Sequence, residues 1–467
     1  MLAKIAISYN PYFCFYFRFV QVKQDNADIK RLRQKIRNQQ KTISCLRNQK
    51  TIGLSKSSKK KLVEDELKKY FSDAQAKCII EGKKRSSWSL DDISTALVLR
   101  SLSKKTYKFI RSNKLFPLPG ISTLQKTARK FDVSPGIQFS ILDVLKKSVC
   151  SQQNSDGFQN LAVLCYDEVK IKEVISYHKQ HDCVYGPHKN LQVAMLRGLV
   201  ATWKQPIYMR FDEAMKKDLL DDIIKASESR GFCIVAIVSD LGPTNVGLWK
   251  SLNISPENTR FPNPADPLRD IYVFADVPHM LKLLRNHLLD QGFLLADGTK
   301  ISVENVNSLL TTDAGEYRIL HKLKPAHLTV KGSERQRVRP AAQILSHSVA
   351  TAIRLVQKEE RVADFFDTVN NWFDVLNSRI VVDSLNMKCA FGIREDQQLK
   401  AVEKMDCMIQ SMKQVGAKSL KPYQKGILVS SRSIVGLFSM LKRDFNLKYI
   451  LTSKLNQDCL ENYFSRF

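Results

Sequence analysis

Two aspartates stand where side chains of their type do not pack without a reason. Asp167, in Leu164-Cys165-Tyr166-Asp167-Glu168, falls on the same strand face as Val163 and Cys165, so its carboxylate is aimed where a core side chain belongs. Asp240 follows a continuous apolar run, Phe232 to Val238, which reads as a strand buried on both faces. Paired carboxylates repel and are costly to bury unless a cation lies between them. Mg2+ prefers hard oxygen ligands, and two ions roughly 4 Å apart can activate one oxygen and stabilise the leaving oxygen of an in-line phosphoryl transfer. Either acid alone reads as a strand-end cap or an ion-pair partner. Metal chemistry needs them to be neighbours and needs a third acid, for which Glu461 is the candidate. Asn456 is expected to cap a helix that places Glu461 on its second turn, with Asp458 one turn earlier, although periodicity alone makes Glu461 a solvated helix residue.

The elements around these acids give an order. Leu161 to Lys172 and Val174 to Tyr185 read as strands joined at Glu173, and a third extended stretch runs from about Met195 to Phe211. A helical pattern from Asp212 to Arg230 leads into the Phe232 to Val238 strand, and a short strand, Ile271 to Ala275, feeds a helix from Pro278 to Leu289. Three antiparallel strands, a helix and a buried parallel strand match an RNase H-like core, in which the first and fourth strands are neighbours. That core is expected over residues 155–292. From 293 to 450 strands almost vanish, and apolar faces recur at helical spacing: Ile344, Leu345, Val349, Ala352, Ile353 and Val356, then Leu399, Val402, Met405 and Ile409. The expected fold is α/β, a mixed sheet with flanking helices interrupted by an all-α insertion. Residues 451–467 begin a final helix of the core.

The front of the chain differs in charge. Over 467 residues there are 74 Lys plus Arg against 46 Asp plus Glu, a net charge of +28, with 43% apolar residues. At roughly 100–200 residues per domain this makes two to four domains, with enough apolar surface to exclude disorder as the main state. Residues 1–150 hold 32 basic and 11 acidic residues, against 42 and 35 in the rest, which marks the front third as facing a polyanion. Segment 1–20 is apolar and aromatic, but with Asn10-Pro11 and no small-residue cleavage site it is not read as a signal peptide and is left unassigned, in an intracellular setting. In segment 21–50, Val22, Ile29, Leu32, Ile36, Ile43 and Leu46 form a heptad seam interrupted by Gln39, the pattern of a short coiled coil. Segment 60–150 carries three helical patterns, Ser89 to Arg100, Ser103 to Asn113 and Ser122 to Phe131, each opened by a serine suited to capping. This is a helix-turn-helix arrangement, from whose third helix Gln125, Lys126, Arg129 and Lys130 would project towards DNA. No two of the ten cysteines are closer than 15 residues, so there is no C-x-x-C motif and buried thiols are expected. No apolar run approaches the roughly 18 residues of a spanning helix. His178, His181 and Cys183 look like a metal set, but strand spacing sends the two histidines to opposite faces.

Four motifs, Cys165-Tyr166-Asp167-Glu168-Val169-Lys170-Ile171, Val238-Ser239-Asp240-Leu241-Gly242-x-x-Asn245, Asp276-x-x-His279-x-x-Lys282-x-x-Arg285-Asn286 and Leu455-Asn456-Gln457-Asp458-Cys459-Leu460-Glu461-Asn462-x-Phe464, together resemble the P-element transposase family and its vertebrate THAP-domain relatives. The resemblance spans about residues 60–467, and the last motif is the most specific. It implies a DNA transposase that cuts and joins double-stranded DNA, transposon ends and target alike, in the nucleus. It also implies two Mg2+ ions, with Mn2+ as a substitute, on Asp167, Asp240 and Glu461. The helical insertion becomes a GTP-binding domain, with Phe373, Asp374, Asn377 and Asp458 at the nucleotide. The chemistry suits: a carboxylate can accept both the N1 and N2 hydrogens of guanine and an aromatic ring can stack on the base. There is, however, no Gly-rich P-loop with Gly-Lys-Ser/Thr, and a Phe-Asp pair in an apolar helix is common. Asp276 is placed to approach the metal site from its strand end. Lys282 and Arg285 share a helix face with His279 that suits phosphate, with plain packing as the equal alternative.

Two departures stand out. The zinc-coordinating Cys/Cys/Cys/His finger with which the family usually begins has no counterpart before Cys45, and the chain stops six residues beyond Glu461, as in a fragment or a decayed copy. Two functions are therefore expected in competition: an active transposase, or a catalytically compromised, domesticated or truncated copy that binds DNA as a coiled-coil dimer. A free-standing RNA/DNA hybrid nuclease is disfavoured, because it would need neither coiled coil nor helix-turn-helix.

Overall fold

The computed structural model describes residues 34–42, 44, 56–82, 86–128, 134–150, 158–178, 182–312, 320–417 and 419–465. The chain divides into two compact units, one drawn from residues 1–134 and 174–186, the other from 135–173 and 187–467. Residues 34–42 are helical, with Ile36 and Gln39 half-buried; the other seam positions of the expected coiled coil lie outside the described residues.

In the first unit the local signals translate directly into helices α1 (Lys56–Lys68), α2 (Asp73–Glu81), α3 (Leu90–Leu102), α4 (Lys104–Ser112) and α5 (Ile121–Ala128). Ser72 with Gln75, and Ser89 with Asp92, form reciprocal capping boxes, and Ser103 accepts the Thr106 N–H, so the starts of α2, α3 and α4 each have a free N–H met by a side chain. The third expected cap is displaced: α5 starts at Ile121, the Leu124 N–H goes to the Gly120 carbonyl, and Ser122 lies inside the first turn. Ala96, Tyr107, Leu118 and Leu124 form the shared core of α3, α4 and α5, and the buried Tyr107 hydroxyl donates to the Pro119 carbonyl at 2.6 Å.

The second unit is built on a seven-stranded sheet in the order β1-β6-β5-β2-β7-β9-β8. These are β1 (Gly136–Ile137), β2 (Leu161–Lys170), β5 (Asn190–Gly198), β6 (Lys204–Phe211), β7 (Cys233–Ser239), β8 (Arg260–Asn263) and β9 (Asp266–Ala275). β2, β7 and β9 run parallel, and the remaining pairings are antiparallel. Helices α6 (Phe139–Cys150), α7 (Lys217–Glu228), α8 (Pro243–Ser251) and α9 (Val277–Asp290) accompany it. Ile234, Ala236, Ile237 and Val238 are wholly buried, as the uninterrupted apolar run requires, and burying each large aliphatic side chain contributes about 1.5–3 kcal/mol.

The second expected strand is not in this sheet. Val174 to Tyr185 forms instead a separate hairpin, β3 (Ser176–His178) with β4 (Cys183–Tyr185), which exposes Ile175, Tyr177 and Val184. Asp182 and Gly186 take positive φ at its turn and exit, and the strand that pairs with β2 is β5, entered after Pro187. The long extended stretch Met195 to Phe211 is the end of β5 and all of β6, folded back at Gly198, where a Cβ would meet the Ala201 carbonyl and the Trp203 ring at 2.9 Å.

Beyond β9 come α10 (Val303–Thr312), α11 (Val338–Ile344), α12 (His347–Ala352), α13 (Glu360–Leu376), α14 (Glu395–Ser411), α15 (Pro422–Phe445) and α16 (Asp458–Phe464), with two-residue strands at 293–294, 300–301 and 413–414. The helical faces read from the sequence are buried, except that Leu399 is half-buried and Val356 exposed. Within this stretch α15 lies on the sheet: Ser430 accepts the Ala275 N–H and Ser433 donates to the Val273 carbonyl. Gly426 and Gly436 permit the approach, since a Cβ would stand 2.6 Å from Leu241 Cδ1 and 2.6 Å from Tyr272 Cε1 respectively.

Candidate active site

The sheet register assembles the acids. Cys165 pairs with Val238 and Ser239 with Ala275. Carried on by two residues and by one, the same registers bring Asp167, inside β2, level with Asp240, and Asp240 level with Asp276, the last two lying just past the carboxyl ends of β7 and β9.

Each carboxylate has its own partners. Asp167 Oδ1 accepts the Glu168 N–H at 2.7 Å. Burial, with the charge of Asp240 next, pushes the Asp167 carboxyl up to about 7, and Glu461 adds to the rise. Asp240 Oδ1 accepts the Gly242 N–H at 3.0 Å and the Asn245 side-chain amide at 2.6 Å, which explains the Asp-x-Gly-x-x-Asn spacing at the start of α8. Asp276 is 2% exposed; its Oδ2 accepts the His279 N–H, capping α9, and its Oδ1 accepts the Gln457 N–H at 2.8 Å. Burial raises the Asp276 carboxyl to about 7, against the Gln457 N–H, with Glu461 and Asp458 adding to it.

Glu461 arrives on α16. The residue before this helix is Gln457, whose side chain makes no capping bond, so Asn456 is not the N-cap; its Oδ1 nevertheless accepts the Asp458 N–H, and Glu461 lies in the first turn. Its carboxylate is 3.7 Å from Lys282 Nζ, with side chains 49% and 7% exposed. Among the described residues no group of three or more His, Cys, Asp or Glu side chains is drawn together closely enough to hold a metal ion. The proposed donors still suit a hard divalent cation: they are oxygen ligands only, and burial with the charge of Asp240 raises the Asp167 carboxyl to about 7, a cost that a cation would relieve.

The other expected site residues are distributed as follows. Phe373 and Asp374 lie half-buried on α13, Asp374 Oδ2 accepts from Asn370, and burial raises its carboxyl. Asn377, just past α13, accepts from the Asn456 side chain at 3.1 Å, while Asp458 pairs with Arg379 at 2.7 Å. Asn377 and Asp458 thus stand at the junction between α13 and the segment leading into α16, while Phe373 and Asp374 lie on α13 itself. On α5, Gln125 is half-buried and Lys126 exposed; Arg129 and Lys130 lie outside the described residues. Lys282 and Arg285 are turned inward, 5% and 0% exposed, because α9 packs that face against its neighbours. Arg285 donates to Asn286 and to the Arg335 carbonyl, so neither presents itself to phosphate in this arrangement. His178 pairs with Cys183 in the hairpin ladder, and His181 lies outside the described residues.

An RNase H-like sheet with acids at the ends of its central strands, carrying a helical insertion, defines the class. Family models described as "TNP-like, RNase H N-terminal domain" and "TNP-like, GTP-binding insertion domain" match residues 133–253 and 278–389. Transposable element P transposase of Drosophila melanogaster is 34% identical over 412 residues, 86% of this chain, which in turn spans 54% of that protein's length. The solved Drosophila P element transposase strand transfer complex matches with a TM-score of 0.78 and 33% identity, covering 87% of this chain and 92% of the solved one. The chain belongs to the P-element transposase family.

Proposed function

We propose that this chain is a DNA transposase that cleaves and joins DNA phosphodiesters with divalent metal, on Asp167, Asp240 and Glu461. The observation that supports the reading is the register of β2 and β7, which, carried on by two residues, sets Asp167 level with Asp240, where burial and the charge of Asp240 raise the Asp167 carboxyl to about 7. A bound divalent cation would polarise the phosphodiester and activate the attacking oxygen. The chain's own residues hold Asp240 by two hydrogen bonds, aim Asp167 from a buried strand, and bring up Glu461 on a separate helix. Double-stranded DNA is the proposed partner, drawn by the basic front third and by Gln125, Lys126, Arg129 and Lys130. GTP is the proposed second ligand, on Phe373, Asp374, Asn377 and Asp458. A dimer through residues 21–50 and a nuclear site of action complete the reading.

One observation favours the second reading, a DNA-binding protein that does not cut: Lys282 already supplies Glu461 with a counter-charge. Metal-dependent cleavage and strand transfer on transposon-end DNA decide between them. Activity in Mg2+ or Mn2+ that disappears in Asp240→Ala supports the transposase; DNA retention with no cleavage under either ion supports the binding protein.

A further inference from the structure

We infer that Asp276 is a positioning residue whose carboxylate latches the helix bearing Glu461 onto the ends of the central strands. Asp276 is almost wholly buried and uses its two oxygens on two distant segments, Oδ2 on His279 N–H at 3.0 Å and Oδ1 on Gln457 N–H at 2.8 Å. The Gln457 peptide passes the constraint on, because its carbonyl accepts the Glu461 N–H at 3.0 Å. One hydrogen-bonded line therefore runs from the end of β9 through Gln457 to the backbone of Glu461. The Gln457 side chain closes the other side, donating to the Tyr166 carbonyl at 2.7 Å, one residue before Asp167. Gln457 thus spans β2 and β9, with β7 and Asp240 between them.

The residue type follows from this geometry. To cap α9 alone, Ser, Thr or Asn would serve as well as Asp. Accepting N–H groups from two segments at once takes two acceptor oxygens on one short side chain, and a carboxylate makes both bonds charge-assisted. With one oxygen on each segment, Asp276 is assigned the role of acting through Glu461.

The test is amide hydrogen exchange on the full chain, comparing the native protein with Asp276→Ser, which keeps an acceptor for His279 but cannot reach Gln457, and with Gln457→Ala, which removes only the Tyr166 bond. Exchange across residues 457–463 is expected to quicken at least roughly tenfold in Asp276→Ser and less in Gln457→Ala, with 277–290 unchanged. In cleavage assays kcat should fall on the order of a hundredfold with the KM for DNA unchanged, the effect of a group displaced by about 1 Å. Unchanged exchange at 457–463 in both variants overturns the latch, as does loosening of 277–290 together with it, which would make Asp276 a plain helix cap. Loss of Mn2+ binding with unchanged exchange would make it a ligand. The latch rests on the transposase reading only for the kinetic arm: a native chain that cuts no DNA would refute that reading, and the exchange data would still decide the latch.

Discussion

The carboxyl ends of the sheet and the far end of α13 both gather candidate functional residues, but by different means. Asp167, Asp240 and Asp276 are set by the β2-β7-β9 ladder, whose spacing the backbone hydrogen bonds dictate. At α13, the buried Ser378 and Thr452 tie the helix end to the segment before α16, and the Ser453 N–H donates to the Ser378 carbonyl, while Asn377 and Asp458 themselves are held by side-chain pairs, Asn377 with Asn456 and Arg379 with Asp458, the latter with Arg379 65% exposed. An exposed pair of that kind is worth roughly 0–1 kcal/mol. Strand-borne acids cannot move relative to one another without opening the sheet, whereas Glu461 depends on the few hydrogen bonds through Gln457 that hold its helix to the strand ends. A site with two fixed acids and one adjustable acid can be completed or left incomplete by what happens along residues 450–465.

The contrast can be broken at several points. Asp167→Ala or Asp240→Ala should reduce metal-dependent cleavage by at least about a hundredfold while DNA retention stays within about twofold, because under the proposed function the acids would meet metal rather than DNA; withdrawn metal contacts are worth several kcal/mol. Full cleavage by either variant in a gel assay would remove the pair from the chemistry. At the adjustable end, Asp374→Ala should weaken GTP binding at least roughly tenfold, from the loss of charge-assisted bonds worth on the order of 1.5–3 kcal/mol, with ATP giving no heat in calorimetry. Equal heats for both nucleotides would exclude guanine reading there. Gly436→Ala drives a Cβ to 2.6 Å from the Tyr272 ring and should destabilise the sheet unit by about 1–3 kcal/mol in urea titration. Ser89→Ala removes one capping box and should cost about 1 kcal/mol. Its effect should be confined to exchange in α3, α4 and α5, and loosening of the sheet as well would show the two units to be energetically coupled.

Legibility followed range along the chain. The β7 strand was visible because burial on both faces writes an unbroken apolar run, and α3 and α4 because Ser89 and Ser103 sit where free N–H groups need an acceptor. The hairpin at 176–185 was misread as a core strand because alternation marks a strand without saying what it pairs with; Ile175, Tyr177 and Val184 alternate and remain exposed. Within the site, Asp167 was legible as an acid on the core face of a strand and Asp240 as an acid at the end of a buried one. Asp276 was legible only as an acid near the site, since its second partner lies 181 residues away. Lys282 and Arg285 gave a periodic basic face, and periodicity cannot say whether such a face meets solvent, DNA or another helix.

The sequence by itself determined what is local: a basic front third, capped helices, an apolar central strand ended by an acid, and four motifs of one family. The tertiary structure alone decided which strands are neighbours, that α15 lies on the sheet through Gly426 and Gly436, that Lys282 holds Glu461, and that Gln457 joins β2 to β9. The reason is physical. Periodicity and capping are settled within a few residues by backbone geometry, whereas register, burial of a charge and a bond between residues 276 and 457 exist only once distant segments have packed together.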